Sequence, residues 1–169
     1  EYLEANPETK LAFQPGMHHL MWGVEKLAKF YKHAEIVILN REEAAQVTGK
    51  ERGDINVLLE AMHELGVKDA VITDGPAGAY ASDDSQKLFM PNYPDVAEPY
   101  DRTGAGDAFA STIVAALARG KSLEEALLWA PINSMNVVQK LGAQAGLQTE
   151  DQIVEWLEKA PEDYQAKPL

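Results

Sequence analysis

Glu35-Ile36-Val37-Ile38-Leu39-Asn40-Arg41-Glu42-Glu43 is the stretch that sets the architecture. Ile36 to Leu39 is a continuous apolar run of strand length with no polar face. A strand apolar on both sides belongs in a parallel sheet covered by helices. Asn40 follows at once, and Glu43 stands three residues later. That spacing predicts a capped helix start, in which Asn accepts from a free amide and Glu reaches back. The predicted helix runs to Thr48 and stops at Gly49.

The alternation continues in both directions. Upstream, Lys10 to Gln14 reads as a short strand stopped by Pro15-Gly16, after a turn at Asn6-Pro7. Leu20, Val24, Leu27, Ala28 and Tyr31 recur at helical spacing through residues 18–32. Downstream, Leu58, Leu59, Met62 and Leu65 form one stripe of a helix from Ile55, with Gly66 as its stop. Ala70 to Thr73 is a second buried strand, ending at Asp74-Gly75-Pro76-Ala77-Gly78. Ala79-Tyr80-Ala81 and Lys87 to Met90 read as a hairpin around Asp83-Asp84-Ser85. Residues 91–99 are irregular, with room for a short strand. Gly104-Ala105-Gly106-Asp107 opens the most apolar helix, Ala108 to Ala118, closed by Gly120. Ser122 with Glu125 starts a helix reaching about Gln139, Gly142 and Gly146 mark a loop, and Thr149 with Gln152 starts a last helix ended by Pro161. The order predicts an α/β fold, a mostly parallel sheet with helices on both faces. With no internal repeat and no low-complexity linker, residues 1–169 read as one domain. Ligands are expected beyond the carboxyl ends of the strands, where Asn40, Asp74 to Gly78 and Asp101 to Asp107 gather.

Composition narrows the chemistry. Fifteen Lys and Arg against 27 Asp and Glu give a net charge of −12 over 169 residues. Nucleic acid and anionic membrane both call for a basic footprint, so neither is expected as the main partner. A local site can still oppose the global charge and hold a small anion. The chain has no cysteine, which excludes disulfides, thiolate catalysis and Cys-ligated zinc. No apolar run reaches the ~18 residues of a membrane span, and the first residues lack the pattern of a signal peptide. The expected location is the cytoplasm.

Asp101-Arg102-Thr103-Gly104-Ala105-Gly106-Asp107 is the strongest chemical feature. Two glycines at a helix start let backbone amides approach a ligand, and the helix N-terminus adds about half a positive charge. Together they make an anion hole. A carboxylate in the first turn, Asp107, faces the same space. Phosphoryl transfer needs this pairing of donors for the moving charge with a base for the attacking hydroxyl. The plainer reading is an ordinary helix start with an acidic first turn. Gly120-Lys121-Ser122 imitates the end of a phosphate loop, but the first glycine of that motif falls on Ala115, inside a helix. Phe109 occupies the third glycine position of a dinucleotide fingerprint. His18, His19, His33 and His63 lack ligand spacing and read as surface residues. Glu43 reads as a cap rather than a metal ligand, and Trp22, Trp129 and Trp156 as core or half-buried residues.

Asp101 to Ala110 closely resembles the C-terminal signature of the ribokinase-like (PfkB) carbohydrate and nucleoside kinases. Asn40-Arg41-Glu42-Glu43 is similar to the family's Asn-x-x-Glu element. Thr73-Asp74-Gly75-Pro76-Ala77-Gly78 is similar to its Thr-x-Gly-x-x-Gly nucleotide loop, and Gly142-Ala143 to its Gly-Ala loop. The resemblance runs from about Leu11 to Trp156. It implies ATP and Mg²⁺, a sugar or nucleoside acceptor, and K⁺ as the monovalent ion. It implies Asp107 as catalytic base and the amides of Gly104, Ala105 and Gly106 as the anion hole. It further implies Asn40 and Glu43 organising magnesium and phosphates, and Thr73, Gly75 and Gly78 lining the nucleotide. Asn133 stands near the position of an adenine neighbour. Asp101 and Thr103, with backbone oxygens of Val137, Lys140, Gly142 and Gly146, would form the cation site. Three positions depart from the pattern: Arg102, Pro131 and Gly146 replace a small or hydroxyl residue, a polar adenine neighbour and a frequent hydroxyl residue.

The family's chain is nearly twice as long, and its N-terminal half carries the first strands, the lid and most residues that read the sugar. With no initial Met and a start in mid-pattern, the expectation is a C-terminal piece, incomplete at the N-terminus. Such a piece exposes a sheet edge that could pair with a second copy, as a homodimer, or with the missing half. The expected activity is ATP-dependent phosphotransfer to a sugar hydroxyl. The alternatives are a nucleoside (adenosine-like) kinase, a nucleotide-binding fragment without turnover, and a structural piece without ligand.

Overall fold

The computed structural model describes residues 1–51 and 53–169. The chain forms two compact units. One comprises Glu1–Gly75 with Tyr80–Lys87, the other Pro76–Ala79 with Leu88–Leu169. The strands are β1 (Leu11–Phe13), β2 (Ala34–Asn40), β3 (Asp69–Thr73), β4 (Ala79–Ser82), β5 (Lys87–Met90) and β6 (Lys167–Pro168). They form one sheet in sequence order, β1 to β6. β1–β2 and β2–β3 pair in parallel, whereas β5–β6 is antiparallel. This is the mixed, mostly parallel sheet of an α/β fold.

In the first unit β2 is buried on both faces. Val37 and Leu39 alternate onto one face and join a core with Leu27, Tyr31, Leu58, Leu59, Met62, Ala70 and Ile72. Ile36 and Ile38 point the other way and are just as buried, at 2% exposure each. The unbroken apolar run follows from that, because in a strand with two covered faces each parity of the alternation meets a core. The helices are α1 (Tyr2–Ala5), α2 (Met17–Trp22), α3 (Val24–His33), α4 (Arg41–Thr48) and α5 (Ile55–Glu64). The helical spacing of residues 18–32 is divided between α2 and α3. Gly23 breaks it at φ 83°, a left-handed conformation that glycine adopts without steric cost. α4 has the predicted form: the Asn40 side chain accepts from Glu43 N, Glu43 reaches back to Asn40 N, and Gly49 closes the helix in the left-handed conformation.

Two side chains of this unit differ from their sequence reading. Trp22 is 54% exposed. His63 is half-buried and ties α5 to β4: Nδ1 lies 3.0 Å from Val67 O and Nε2 lies 2.5 Å from the buried Ser82 Oγ.

The second unit is built on α6 (Ala105–Ala118), α7 (Leu123–Val137) and α8 (Glu150–Glu158). α6 and α7 pack together, and Ala108, Ile113, Ala116, Ala126, Ala130 and Ile132 along them are all buried. Small residues on both helices let the backbones come close. A buried polar chain crosses the pair: Asn133 Nδ2 donates to Thr112 Oγ1 at 2.8 Å, and Thr112 Oγ1 donates to Ala108 O at 2.6 Å. Gly120-Lys121-Ser122 is a helix stop followed by an N-cap, as its spacing predicts. Residues 91–99 contain no strand, and β6 lies where no strand was expected. Among the described residues, no helix is long and apolar enough to cross a membrane.

Ser122 and Thr149 each accept the N3 amide of their helix and receive the N3 side chain in return. Ser122→Ala and Thr149→Ala should each lower stability by about 1 kcal/mol. Urea unfolding of the two variants should show shifted midpoints at unchanged slope.

Candidate active site

The second unit holds the Asp101–Asp107 stretch. Gly104 is the N-cap of α6, at φ 82° and ψ 0°. A Cβ at Gly104 would lie 2.5 Å from Ala143 Cβ and 2.6 Å from Ala143 Cα. Both the conformation and the close approach therefore require glycine. The contact seats the start of α6 against the Gly142–Ala143 loop.

Asp101 holds the same two segments. Its Oδ1 accepts from Thr103 N and its Oδ2 from Gly142 N, both at 2.9 Å. The amides of Tyr100 and Asp101 donate to Val138 O at 2.8 and 3.1 Å. The amides of Thr103 and Gly142 stabilise the carboxylate and hold its pKa below the ordinary aspartate value, the bond from Thr103 contributing most and that from Gly142 next.

Helices α4, α7 and α8 begin with capping boxes. α6 begins without any side-chain cap. Gly106 and Asp107 in its first turn are exposed, while Ala105 N donates to Arg102 O at 3.4 Å. Ser134 Oγ donates to Ala105 O at 3.0 Å and so ties the turn to α7. The arrangement is a helix N-terminus without a side-chain cap, with the Asp107 carboxylate in the same turn.

Val137, Lys140, Gly142 and Gly146 follow one loop that wraps the end of α7. Lys140 N donates to Val137 O at 3.1 Å, and Gly146 O accepts from Gln148 Nε2 at 2.7 Å. Gly146 is buried, and a Cβ there would collide with Asn136 O and Val137 Cα. A residue with a hydroxyl side chain does not fit this backbone approach. Asn133 is buried with both ends of its amide used internally, since Oδ1 also accepts from Gln148 N at 2.9 Å. Gly78 belongs to this unit as well, at φ 99°, where a Cβ would collide with Met90 O.

The first unit gathers Asn40, Glu43, Thr73 and Gly75. Register pairs Asn40 with Thr73 at the carboxyl ends of β2 and β3. Glu43 Oε2 accepts from Asn40 N at 2.9 Å. Gly75 opens a short 3₁₀ turn at φ 53°. Sequence reasoning missed the ion pair that joins the two loops: Arg41 Nη1 lies 2.5 Å from Asp74 Oδ2, with both side chains largely buried. Its only signal was the position of each residue directly after a strand. Among the described residues, no three His, Asp or Glu side chains cluster tightly enough to hold a metal. A divalent ion here would need oxygens from a bound ligand or water.

The chain matches the pfkB family carbohydrate kinases over residues 6–150. It belongs to that family. It is 40% identical over 86 residues to a ribokinase of Bacillus subtilis, covering 51% of this chain and 29% of the relative. It is 36% identical over 118 residues to a cytidine kinase of Thermococcus kodakarensis, covering 69% and 41%. The structure of Arabidopsis thaliana ribokinase complexed with ribose and ATP superposes with a TM-score of 0.71 at 25% identity, over 78% of this chain and 43% of that one. The chain thus spans less than half the length of each of these relatives.

Gly104→Ala should destabilise the fold by about 2–4 kcal/mol, from the left-handed backbone and the contact with Ala143. Thermal unfolding would read it, and Gly106→Ala, where a Cβ meets nothing, is the matched control. A carboxylate whose folded pKa is lowered contributes stability above its unfolded value and loses it as pH falls through the folded one. The Asp101 clamp should therefore hold at neutral pH and release in acid, below the ordinary aspartate range. The Gly142 amide resonance, followed by NMR through the acid range, should move with the Asp101 carboxyl. It should stay still in Asp101→Asn.

Proposed function

We propose that the protein to which this chain belongs transfers the terminal phosphoryl group of ATP to a hydroxyl of a sugar. Residues 1–169 would supply its nucleotide-binding and catalytic part. The observation that carries this reading is the uncapped start of α6 with Asp107 in its first turn. The amides at Gly104, Ala105 and Gly106 would meet the negative charge of the phosphoryl group in flight. Asp107, exposed beside them, would take the proton of the acceptor hydroxyl. The solved Arabidopsis ribokinase with ribose and ATP supports ATP as the donor, and ATP as donor makes the cytoplasm the matching compartment.

The remaining roles follow the family resemblance. Asn40 and Glu43 would approach the phosphates through water and Mg²⁺, and Thr73, Gly75 and Gly78 would line the nucleotide. Mg²⁺, when bound, neutralises charge on the phosphates. Asp101, Thr103, Val137, Lys140, Gly142 and Gly146 fit a K⁺ site in donor chemistry, one carboxylate with hydroxyl and backbone oxygens on adjoining loops. Asn133 would act on the adenine side through the loop it anchors at Gln148, since its own amide is spent internally.

A nucleoside acceptor is the second reading, favoured by the similarity to the cytidine kinase. β1 is one of the two edge strands of the sheet. Pairing there with a second copy, or with further chain, is the assembly we propose.

The test is an ATP–Mg²⁺ titration of the chain by calorimetry, with and without K⁺, followed by ADP release with ribose and with cytidine. We expect saturable binding that tightens with K⁺. Asp107→Asn should keep nucleotide affinity within about twofold and lower phosphotransfer roughly 10²- to 10⁴-fold. A variant that turned over like the parent would remove Asp107 from the base role. Binding without turnover for any acceptor would reduce the chain to a nucleotide-binding part.

A further inference from the structure

Asp74 places a carboxylate inside the Thr73–Gly75 loop of the first unit. A negative charge there repels a polyphosphate across several ångströms, without touching it. Its surroundings add to the problem. Glu42 and Glu43 stand in the first turn of α4, Asp54 caps α5 one residue after Gly53, and the whole chain carries −12. Arg41 is the cation tied to Asp74. Its Nη1 donates to Asp74 Oδ2 at 2.5 Å, and its Nη2 donates to Gly53 O at 2.6 Å. The Arg41 and Asp74 side chains are only 21% and 12% exposed, so water and salt screen the pair weakly. Two anchors on one planar fork fix the guanidinium among three segments: the end of β2, the end of β3 and the turn before α5.

Stability is a weak reason for such a pair, because desolvating both charges offsets much of their attraction. Register already sets Asn40 beside Thr73 through the backbone of β2 and β3. What the pair adds is the cancellation of a charge at the strand ends. We infer, on the nucleotide reading of these loops proposed above, that Arg41 is a positioning residue for nucleotide binding: it acts through Asp74, cancelling the carboxylate's charge so that a polyphosphate can approach the Thr73–Gly75 loop. The guanidinium does this from behind the loop, with Nη1 and Nη2 both engaged by protein oxygens. Neither residue belongs to the set of groups proposed to touch the nucleotide.

The test is ATP–Mg²⁺ calorimetry on the 169-residue chain and three variants. Arg41→Gln keeps a hydrogen-bonding side chain but uncovers the Asp74 charge, and should weaken ATP roughly tenfold. Arg41→Lys keeps the charge without the fork, and should stay within about threefold of the parent. Arg41→Gln/Asp74→Asn removes both charges and should also return to within about threefold. The double variant spares the fold an unpaired carboxylate, so it decides the matter even where the single variant unfolds. Three results overturn the inference. Arg41→Gln binds ATP like the parent; or Arg41→Lys is as weak as Arg41→Gln, which makes the role one of shape; or the double variant stays far weaker than the parent, which puts Arg41 itself on the phosphates. Each of these leaves the proposed function standing. A parent chain that binds no ATP removes the nucleotide reading, and this inference with it.

Discussion

The carboxylate of Asp101 fixes where the most apolar helix of the chain begins. It accepts the amides of Thr103 and Gly142 and so welds the turn before α6 to the loop after α7. Gly104 makes the weld possible, because any side chain there would occupy the space of Ala143. With the two segments locked, the first turn of α6 has one geometry and its amides point one way. An open helix N-terminus is useful only if it is rigid, since a site that must be ordered by its ligand loses the affinity spent on ordering. The missing cap is thus offset by a clamp one turn earlier.

The first unit solves a different problem with similar means. Two strand ends must stay side by side while the loops beyond them remain accessible. Register sets Asn40 opposite Thr73, the capping box fixes the direction in which the chain leaves Asn40, and the Arg41–Asp74 pair joins the two loops. Arg41 also donates to Gly53 O, which draws in the segment ahead of α5. Asn40 and Glu43 are therefore structural before they are anything else. A residue whose side chain caps its own helix can offer a ligand only the valences the cap leaves over, and this suits contact through water better than direct coordination.

The polar chain Gln148–Asn133–Thr112–Ala108 ties the loop leading to α8 to the helix pair beneath it. Every member is paired, so the network costs little and specifies one arrangement of α6, α7 and the loop leading to α8. Gly146 sits in that loop against the backbone of Asn136 and Val137. The departure from the family's frequent hydroxyl residue has a steric cause at this position. A cation held there would draw on the loop's backbone oxygens, whose placement depends on that packing.

Much of this was legible in the residues. Ile36 to Leu39 could only be a strand with two covered faces, and Asn40 with Glu43 could only be a helix start, because period and capping are local properties. The Asp101–Asp107 signature likewise carries its helix, its glycines and its carboxylate within seven residues. What the sequence could not disclose depended on partners distant in the chain. Asp101 meets Gly142 across 41 residues, Arg41 meets Asp74 across 33, and His63 meets Ser82 across 19, so none of these roles shows in a local pattern. The break at Gly23 was readable in principle, yet an apolar spacing that continues through it hides a change of direction. Local chemistry determined the elements and the motif. Tertiary packing decided which of their polar groups were paired with partners distant in the chain, because those contacts exist only once the elements are packed.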